Sequence, residues 1–472
     1  MVKYDIFRAV KGFEFDINSM IPLTEIKDRN DLERYREEKK IGLPFSLEDF
    51  KNAFKNIDID YNKFYFRVGP YISEFVYLDM DKYIFRPITI DNNCNIFAPG
   101  DYSNEEKLLL YINIVNKLYE KKEYLQLISM LPDAIRLDFF NKMVKDNYIE
   151  EEKIYDIFIE LYNSSEYGFS KITPEIIDKL VSYKREEHKQ KLDKILNNLN
   201  DEIVVYRGEG DKSTPYKKGA LSWTLDINIA NFFACRYSKD NSKILIGKVK
   251  KENIIDCLFD RNEKEVLVRP KDIILTDTIE CFGASKLDDI FLFDGYMFSK
   301  YRNILDNLSF KDIEGHNKDH TLRVLLLALI IAMEKELTDD EVELLSIACI
   351  NHDRGRLNGN ECRSHGKRSF EIFKKEGQLD TINPEYYVDE NDLEFLMTYH
   401  CKEDVEAINY VYSKIENKER RCMLLKILYI LKDADALDRV RFGIKDLDLN
   451  YLRFDFSKKL TLIARIILEC VK

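Results

Sequence analysis

The chain has 472 residues, 45% hydrophobic and 33% charged, and a formal net charge of −12. That length predicts several domains and that balance a globular protein. The negative charge, with no long basic run, argues against a sequence-independent nucleic-acid groove, whose affinity comes largely from counterion release.

The N-terminus, Met1-Val2-Lys3-Tyr4-Asp5, has no signal-peptide core. Nine cysteines without CxxC spacing predict reduced thiols and a cytoplasmic protein. The longest apolar run, Val324 to Met333, has ten residues, too short to span a bilayer. Residues 1–103 read as a mixed α/β region without a motif. Helices are expected over Asn30–Lys40 and Ser46–Lys55, and strands over Phe64–Val68 and Phe75–Leu78. Residues 104–200 read as helical, with Leu108, Leu109, Ile112, Val115 and Leu118 at helical spacing. His188 falls in the charged run Lys184–Lys191 and is expected on a solvated surface. No fixed-length repeat points to a solenoid.

Beyond Asn200 the period changes. A strand, Ile203–Tyr206, ends in Arg207-Gly208-Glu209, and Leu221-Ser222-Trp223-Thr224 and a helix over Asn228–Tyr237 follow. Lys243–Val249 alternates as a strand, and Glu263-Lys264-Glu265 leads into another. Arg, Ser/Thr and Glu at three successive strand ends make a site rather than a periodic face. Residues 201–283 thus resemble the Arg–Ser–Glu class of mono-ADP-ribosyltransferases through Tyr206-Arg207-Gly208, Ser222-Trp223-Thr224 and Glu263-Lys264-Glu265. The resemblance implies NAD as co-substrate: Arg207 on an NAD phosphate, Ser222 and Thr224 bracing the nicotinamide side, Glu265 stabilising the oxocarbenium-like ribose, and Glu263 assisting a protein or nucleic-acid acceptor. An NAD glycohydrolase and a non-catalytic interaction module stay open as alternatives.

Residues 284–310 read as a packed linker, because 288–301 is too apolar and aromatic for disorder, with a lead-in helix over Tyr301–Leu308. In the C-terminal part the histidines concentrate. Of six in the chain, His316, His320, His352, His365 and His400 fall within 316–400. His316 and His320, four apart, would share a helix face and could enter one pocket. His316 is read either as a ligand or as support for one. His352-Asp353 ends the apolar run Leu344–Ile350, where an unpaired His–Asp pair is costly to bury and a cation is a natural partner. Leu424, Leu428, Leu431 and Asp435 form one stripe, so Asp435 takes a core position, whereas Asp433 turns away and is expected in solvent.

The order His320, His352-Asp353, Asp435 resembles the H…HD…D signature of the HD-domain metal-dependent phosphohydrolases. Arg323-Val324, Gly355-Arg356, Lys432 and Leu437 agree with it over roughly 311–445. His365 and His400 resemble the histidines that complete two-metal centres in that superfamily. The implied metal set is His320, His352, Asp353, His365, His400 and Asp435. Imidazole and carboxylate suit one or two divalent ions among Mn, Fe, Co, Ni and Zn without strong selection. Asp353 would orient the nucleophile, and Arg356 and Lys367 would hold the phosphate of a small, nucleotide-type phosphoester.

The expected fold is multidomain and mostly α: a mixed and helical N-terminal region, a central α+β ADP-ribosyltransferase-like domain and an all-α HD bundle over 311–472. The expected activity is phosphohydrolysis joined to ADP-ribosyl transfer. The alternative is an HD module that senses a nucleotide and controls the transferase.

Overall fold

The computed structural model describes residues 20–25, 51–52, 54–67, 74–88, 103–165, 169–211, 213–259, 262–286, 299–311, 313, 315–360, 362–378, 382 and 385–471. The helix expected over Asn30–Lys40, most of Ser46–Lys55 and residues 287–298 of the linker lie outside the described residues. Two compact units form, one from Met1–Asn198 with Thr214–Ala220, the other from Leu199–Ser213 with Leu221–Lys472.

In the first unit, β1 (Ile21–Pro22), β2 (Phe64–Arg67), β3 (Glu74–Asp79) and β4 (Ile84–Ile88) form an antiparallel sheet in sequence order. Period-2 alternation buries Phe64 and Phe66 on one face of β2, and the Tyr77 ring meets Phe64 edge-on at 5.2 Å. Helices α1 (Asn104–Glu120), α2 (Tyr124–Ser129), α3 (Asp133–Lys145), α4 (Glu151–Ser164), α5 (Pro174–Ser182) and α6 (Glu186–Leu196) follow. A reciprocal Ser103–Glu106 capping box starts α1. The Tyr111 hydroxyl donates to Phe85 O at 2.8 Å and ties α1 to the sheet. His188, expected in solvent, is partly buried and sits 2.7 Å from Asp156.

The second unit joins a sheet to a helical bundle. Strands β5 (Glu202–Gly210) and β6 (Ser222–Thr224), helix α7 (Ile227–Cys235), then β7 (Ser242–Lys250), β8 (Ile254–Leu258), β9 (Glu265–Val268) and β10 (Ile274–Cys281) build an antiparallel sheet ordered β10-β7-β5-β6-β9-β8. Residues 299–306 are helical. The bundle comprises α8 (Lys318–Glu334), α9 (Asp339–Asn351), α10 (His365–Lys375), α11 (Glu390–Tyr399), α12 (Asp404–Lys414), α13 (Lys418–Leu437), α14 (Asp455–Lys459) and α15 (Thr461–Cys470). Every residue from Val324 to Ala332 is buried, so α8 is the central helix, as its all-round apolar run requires. Among the described residues, no helix is long and apolar enough to cross a membrane.

Sheet and bundle share one hydrophobic core: Ala230, Ala234, Ile244 and Cys281 join the cluster that holds α8, α9 and α13. Polar ties seal the join. Asn228 donates Nδ2–H to Asp448 Oδ1 and accepts from Leu449 N, each at 2.8 Å, and Phe282 N donates to Lys459 O at 2.8 Å.

One expectation fails here. Asp433 is fully buried rather than solvated. It does face away from the Asp435 stripe, but the chain after Leu452 folds back over it. Its carboxylate accepts the main-chain N–H groups of Arg453 and Phe454 at 3.0–3.1 Å and the Arg453 guanidinium at 3.2 Å. Arg453 also grips Asp404 at 2.8 and 2.9 Å. Removing one partner strands the others in the interior, so Asp433→Ala should destabilise the fold by about 3 kcal/mol. The check is a lowered urea midpoint at unchanged m-value, with retained metal content separating this loss from damage at the centre described next.

Candidate metal centre

The histidines and acids converge because each stands at a helix end. Asn317 caps α8 and accepts from His320 N at 3.0 Å, which fixes His320 in the first turn. His352 is the C-cap of α9, with Asp353 directly after it. His365 opens α10, His400 is the C-cap of α11, and Asp435 lies in the last turn of α13. His316 does not share a helix with His320: α8 begins at Lys318, and His316 reaches the site from the preceding loop.

Two glycines allow the ends to close. A Cβ on Gly366 would fall 2.0 Å from Met397 O and 3.1 Å from the His400 ring. One on Gly355 would fall 2.3 Å from His365 O. Any side chain at either position would push α10 away and separate His365 from His352 and His400. Ser369 completes the junction: its Oγ accepts from Gly355 N at 2.8 Å and donates to His352 O at 2.6 Å.

Asp353 is the hub. Its Oδ2 lies 2.7 Å from His316 Nδ1, 3.5 Å from His320 Nε2 and 3.7 Å from His352 Nε2. Its Oδ1 lies 2.9 Å from His365 Nε2 and 3.6 Å from His400 Nε2. One carboxylate therefore serves two groups of imidazoles, one oxygen each. Asp435 Oδ1 adds to the first group, 3.5 Å from His320 Nε2. Ligand-type atoms lie within 4.8 Å of one another in the sets His320–His352–Asp435, His316–His320–Asp353, His352–Asp353–His400 and His365–His400–Cys401.

The ring tautomers follow from the hydrogen bonds. Nδ1–H of His352 donates to Cys349 O at 2.7 Å, that of His400 to Met397 O at 2.7 Å, and that of His365 to Cys362 O. His320 Nδ1–H donates to Asp438 Oδ2 at 2.8 Å. A carbonyl or carboxylate oxygen can only accept, so all four rings turn an Nε2 lone pair inward. His320 Nε2, His352 Nε2 and Asp353 Oδ1 are buried without a hydrogen-bond partner. The His365 and His400 Nε2 atoms face each other at 2.8 Å. In their neutral forms these imidazoles turn lone pairs, together with two carboxylates, toward one largely buried space, and this donor set fits borderline divalent ions.

The titration shifts divide the imidazoles between neutral and protonated forms. Burial chiefly keeps His352 neutral, down to about 3, as a ligand must be. Burial also opposes charge on His365, yet Asp353 outweighs it and lifts that imidazole to about 10. Burial would raise Asp435, but His320 and His352 hold it down to about 2. Asp353 lies well below the usual carboxylate range, burial being overcome by His352, His316, His320 and His365.

Around the hub stand Asp438 and Arg441, which the sequence does not single out, and Arg356, which it does. Asp438, fully buried, takes a two-pronged contact from Arg323, Nε at 2.6 Å and Nη2 at 3.1 Å, while orienting His320. Its one sequence signal is its place three residues after Asp435, where it caps the C-terminal end of α13. Arg441 lies 3.4 Å from Asp438 and stacks on Phe442 at 4.3 Å, with Asp435 and Asp353 also acting on its charge. Arg356 Nε stands 2.8 Å from Asp353 Oδ2, though its N–H is not aimed along a hydrogen bond. Lys367 is exposed on α10, about 200° round the helix from His365, so the structure does not bring it to the centre. The site opens beside Asp435, whose side chain is 29% exposed.

In the sheet, register pairs Tyr206 with Thr224 and Thr224 with Glu265 across β5, β6 and β9. Arg207 Nη1 donates to Ser222 O at 2.7 Å. Thr224 Oγ1 donates to Glu263 O at 2.7 Å, in the turn before β9, so Glu263 lies outside the strand that begins at Glu265. Glu265 is buried.

An HD-domain family model matches residues 318–440, a segment that contains His320, His352, Asp353, His365, His400 and Asp435. The match implies metal-dependent phosphohydrolase chemistry for that segment and does not extend to the sheet. No curated protein and no solved structure matches the chain.

Asp438→Asn keeps the volume but removes the charge that fixes the His320 tautomer and neutralises Arg323. Metal affinity should fall about 10–100-fold, as for other partners of ligating histidines. Elemental analysis of the purified variant after dialysis against a graded chelator gives the measurement, and unchanged retention would remove Asp438 from this role.

Proposed function

We propose that the HD segment hydrolyses small phosphoesters of nucleotide type, with divalent ions held by His320, His352, Asp353 and Asp435 on one side and by Asp353, His365 and His400 on the other. The observation that carries this reading is the division of the two Asp353 oxygens between two sets of inward-facing Nε2 atoms. Bound there, divalent ions supply Lewis-acid polarisation of phosphoryl oxygens and lower the pKa of water. The chain's own residues do the positioning. In this reading Arg356, beside Asp353, and Arg441, beside Asp438, take the non-bridging oxygens of a phosphate. His316, from the loop before α8, holds Asp353 Oδ2 in place. The buried walls of α8, α9 and α13 exclude bulk water, so each electrostatic contact is stronger than it would be in solvent.

Phosphate release from a panel of nucleoside mono-, di- and triphosphates and phosphodiesters tests this reading. Asp353→Ala should reduce turnover by about 10³-fold, and Arg356→Ala by about 10²-fold. Tight metal and nucleotide binding without phosphate release would instead identify a nucleotide-sensing module.

A second reading, NAD-dependent ADP-ribosyl transfer by the sheet, draws on one observation. Strands β5, β6 and β9 are neighbours, so Arg207, Ser222, Thr224 and Glu265 fall on three adjacent strands in one short stretch of register. In this reading Glu265 faces the developing positive charge of the ribose. With labelled NAD, Glu265→Gln should abolish transfer to an acceptor or release of nicotinamide while phosphate release by the HD segment continues. Equal NAD turnover in wild type and variant would leave the sheet an interaction module.

A further inference from the structure

Cys401 directly follows His400 at the C-terminal end of α11 and is half-buried. Its Sγ, His365 and His400 each offer a ligand-type atom, and these atoms lie within 4.8 Å of one another. The sulfur lies 3.5 Å from Arg363 O and 3.8 Å from Thr398 O, and it also interacts with the His365 ring and the Gly366 main chain, which turns it toward the two imidazoles. The two imidazoles beside it have their Nδ1–H groups committed to Cys362 O and Met397 O, which sets their Nε2 atoms 2.8 Å apart as the positions from which they can ligate. The two halves of the centre also differ in their donors. The first draws on His320, His352, Asp435 and Asp353 Oδ2, whereas the second has His365, His400 and Asp353 Oδ1 and one donor fewer.

We propose that Cys401 supplies a thiolate as the fourth donor of the second half, which therefore holds a thiophilic divalent ion (Zn²⁺, Fe²⁺ or Co²⁺) in preference to Mn²⁺ or Mg²⁺. The preference follows from ligand softness: a thiolate favours the softer ions, whereas carboxylate, carbonyl and water suit Mn²⁺ and Mg²⁺. Binding releases the thiol proton to solvent. This inference rests on the metal-centre reading above.

The test loads the full-length chain, stripped by chelator, with Co²⁺ and records its spectrum and its cobalt content. Wild type should show visible d–d bands and a near-ultraviolet thiolate-to-cobalt charge-transfer band. Cys401→Ser and Cys401→Ala should lose that band and bind one Zn²⁺ per chain about ten-fold more weakly or worse, with Mn²⁺ affinity little changed. Cys362→Ser, whose side chain faces Ser364 and Arg368, should keep the band. Bound cobalt with d–d bands but no charge-transfer band in wild type overturns the inference and leaves the metal centre standing. So does a band that survives in the Cys401 variants. No bound cobalt at all overturns the metal-centre reading itself. The wild-type spectrum decides the question even if a Cys401 variant fails to fold.

Discussion

The structure of the second unit depends on one buried carboxylate. Asp353 sits among five imidazoles and Arg356, and each of its oxygens addresses a different group of them. An anion taken out of water must be matched by positive charge or hydrogen bonds at close range. Here every ring with an Nε2 toward it has spent its Nδ1–H on an oxygen behind it, leaving lone pairs rather than donors in front. His316 Nδ1 and Arg356 meet part of that demand at Oδ2, and the pull that lifts His365 to about 10 is the same demand expressed as affinity for a proton.

The bundle is arranged to deliver that geometry. Helix ends, not helix faces, carry the ligands, so small changes in where a helix stops would move a donor by a full turn. Asn317 fixes the ligand-bearing end of α8, whereas the Thr338–Glu341 box and Asp389 start α9 and α11 at the ends opposite His352 and His400. Gly355 and Gly366 let α10 approach closer than any side chain would permit, and Asp438 binds the back of His320 to Arg323. Rigid support of this kind is what keeps a metal site from loosening.

The sheet is not an appendage to this bundle. Ala230, Ala234 and Cys281 are buried in the same core as α8, and Arg465 on α15 bonds Cys235 O and Ser238 O. The sheet and the HD segment thus share one packed body. The Asp404–Arg453–Asp433 network holds the returning C-terminal segment against α13, close in sequence to both Lys432 and Asp435.

The gathering of these side chains was legible in the sequence because they are rare residues in a distinctive order. Five of six histidines in one stretch, an adjacent His–Asp pair after an apolar run and an aspartate on an apolar stripe are legible without coordinates. The helical and strand periods were equally legible, since burial of one face imposes them. What only the tertiary structure decided is contact between segments far apart in the chain. The burial of Asp433, the support that Asp438 gives His320, the outward turn of Lys367 and the nearness of Cys401 to His365 all depend on how a later segment packs, and local spacing carries no record of that. His316 shows the difference most plainly: its spacing from His320 suggests one helix face, but the Asn317 cap starts the helix too late, and His316 reaches Asp353 through a loop.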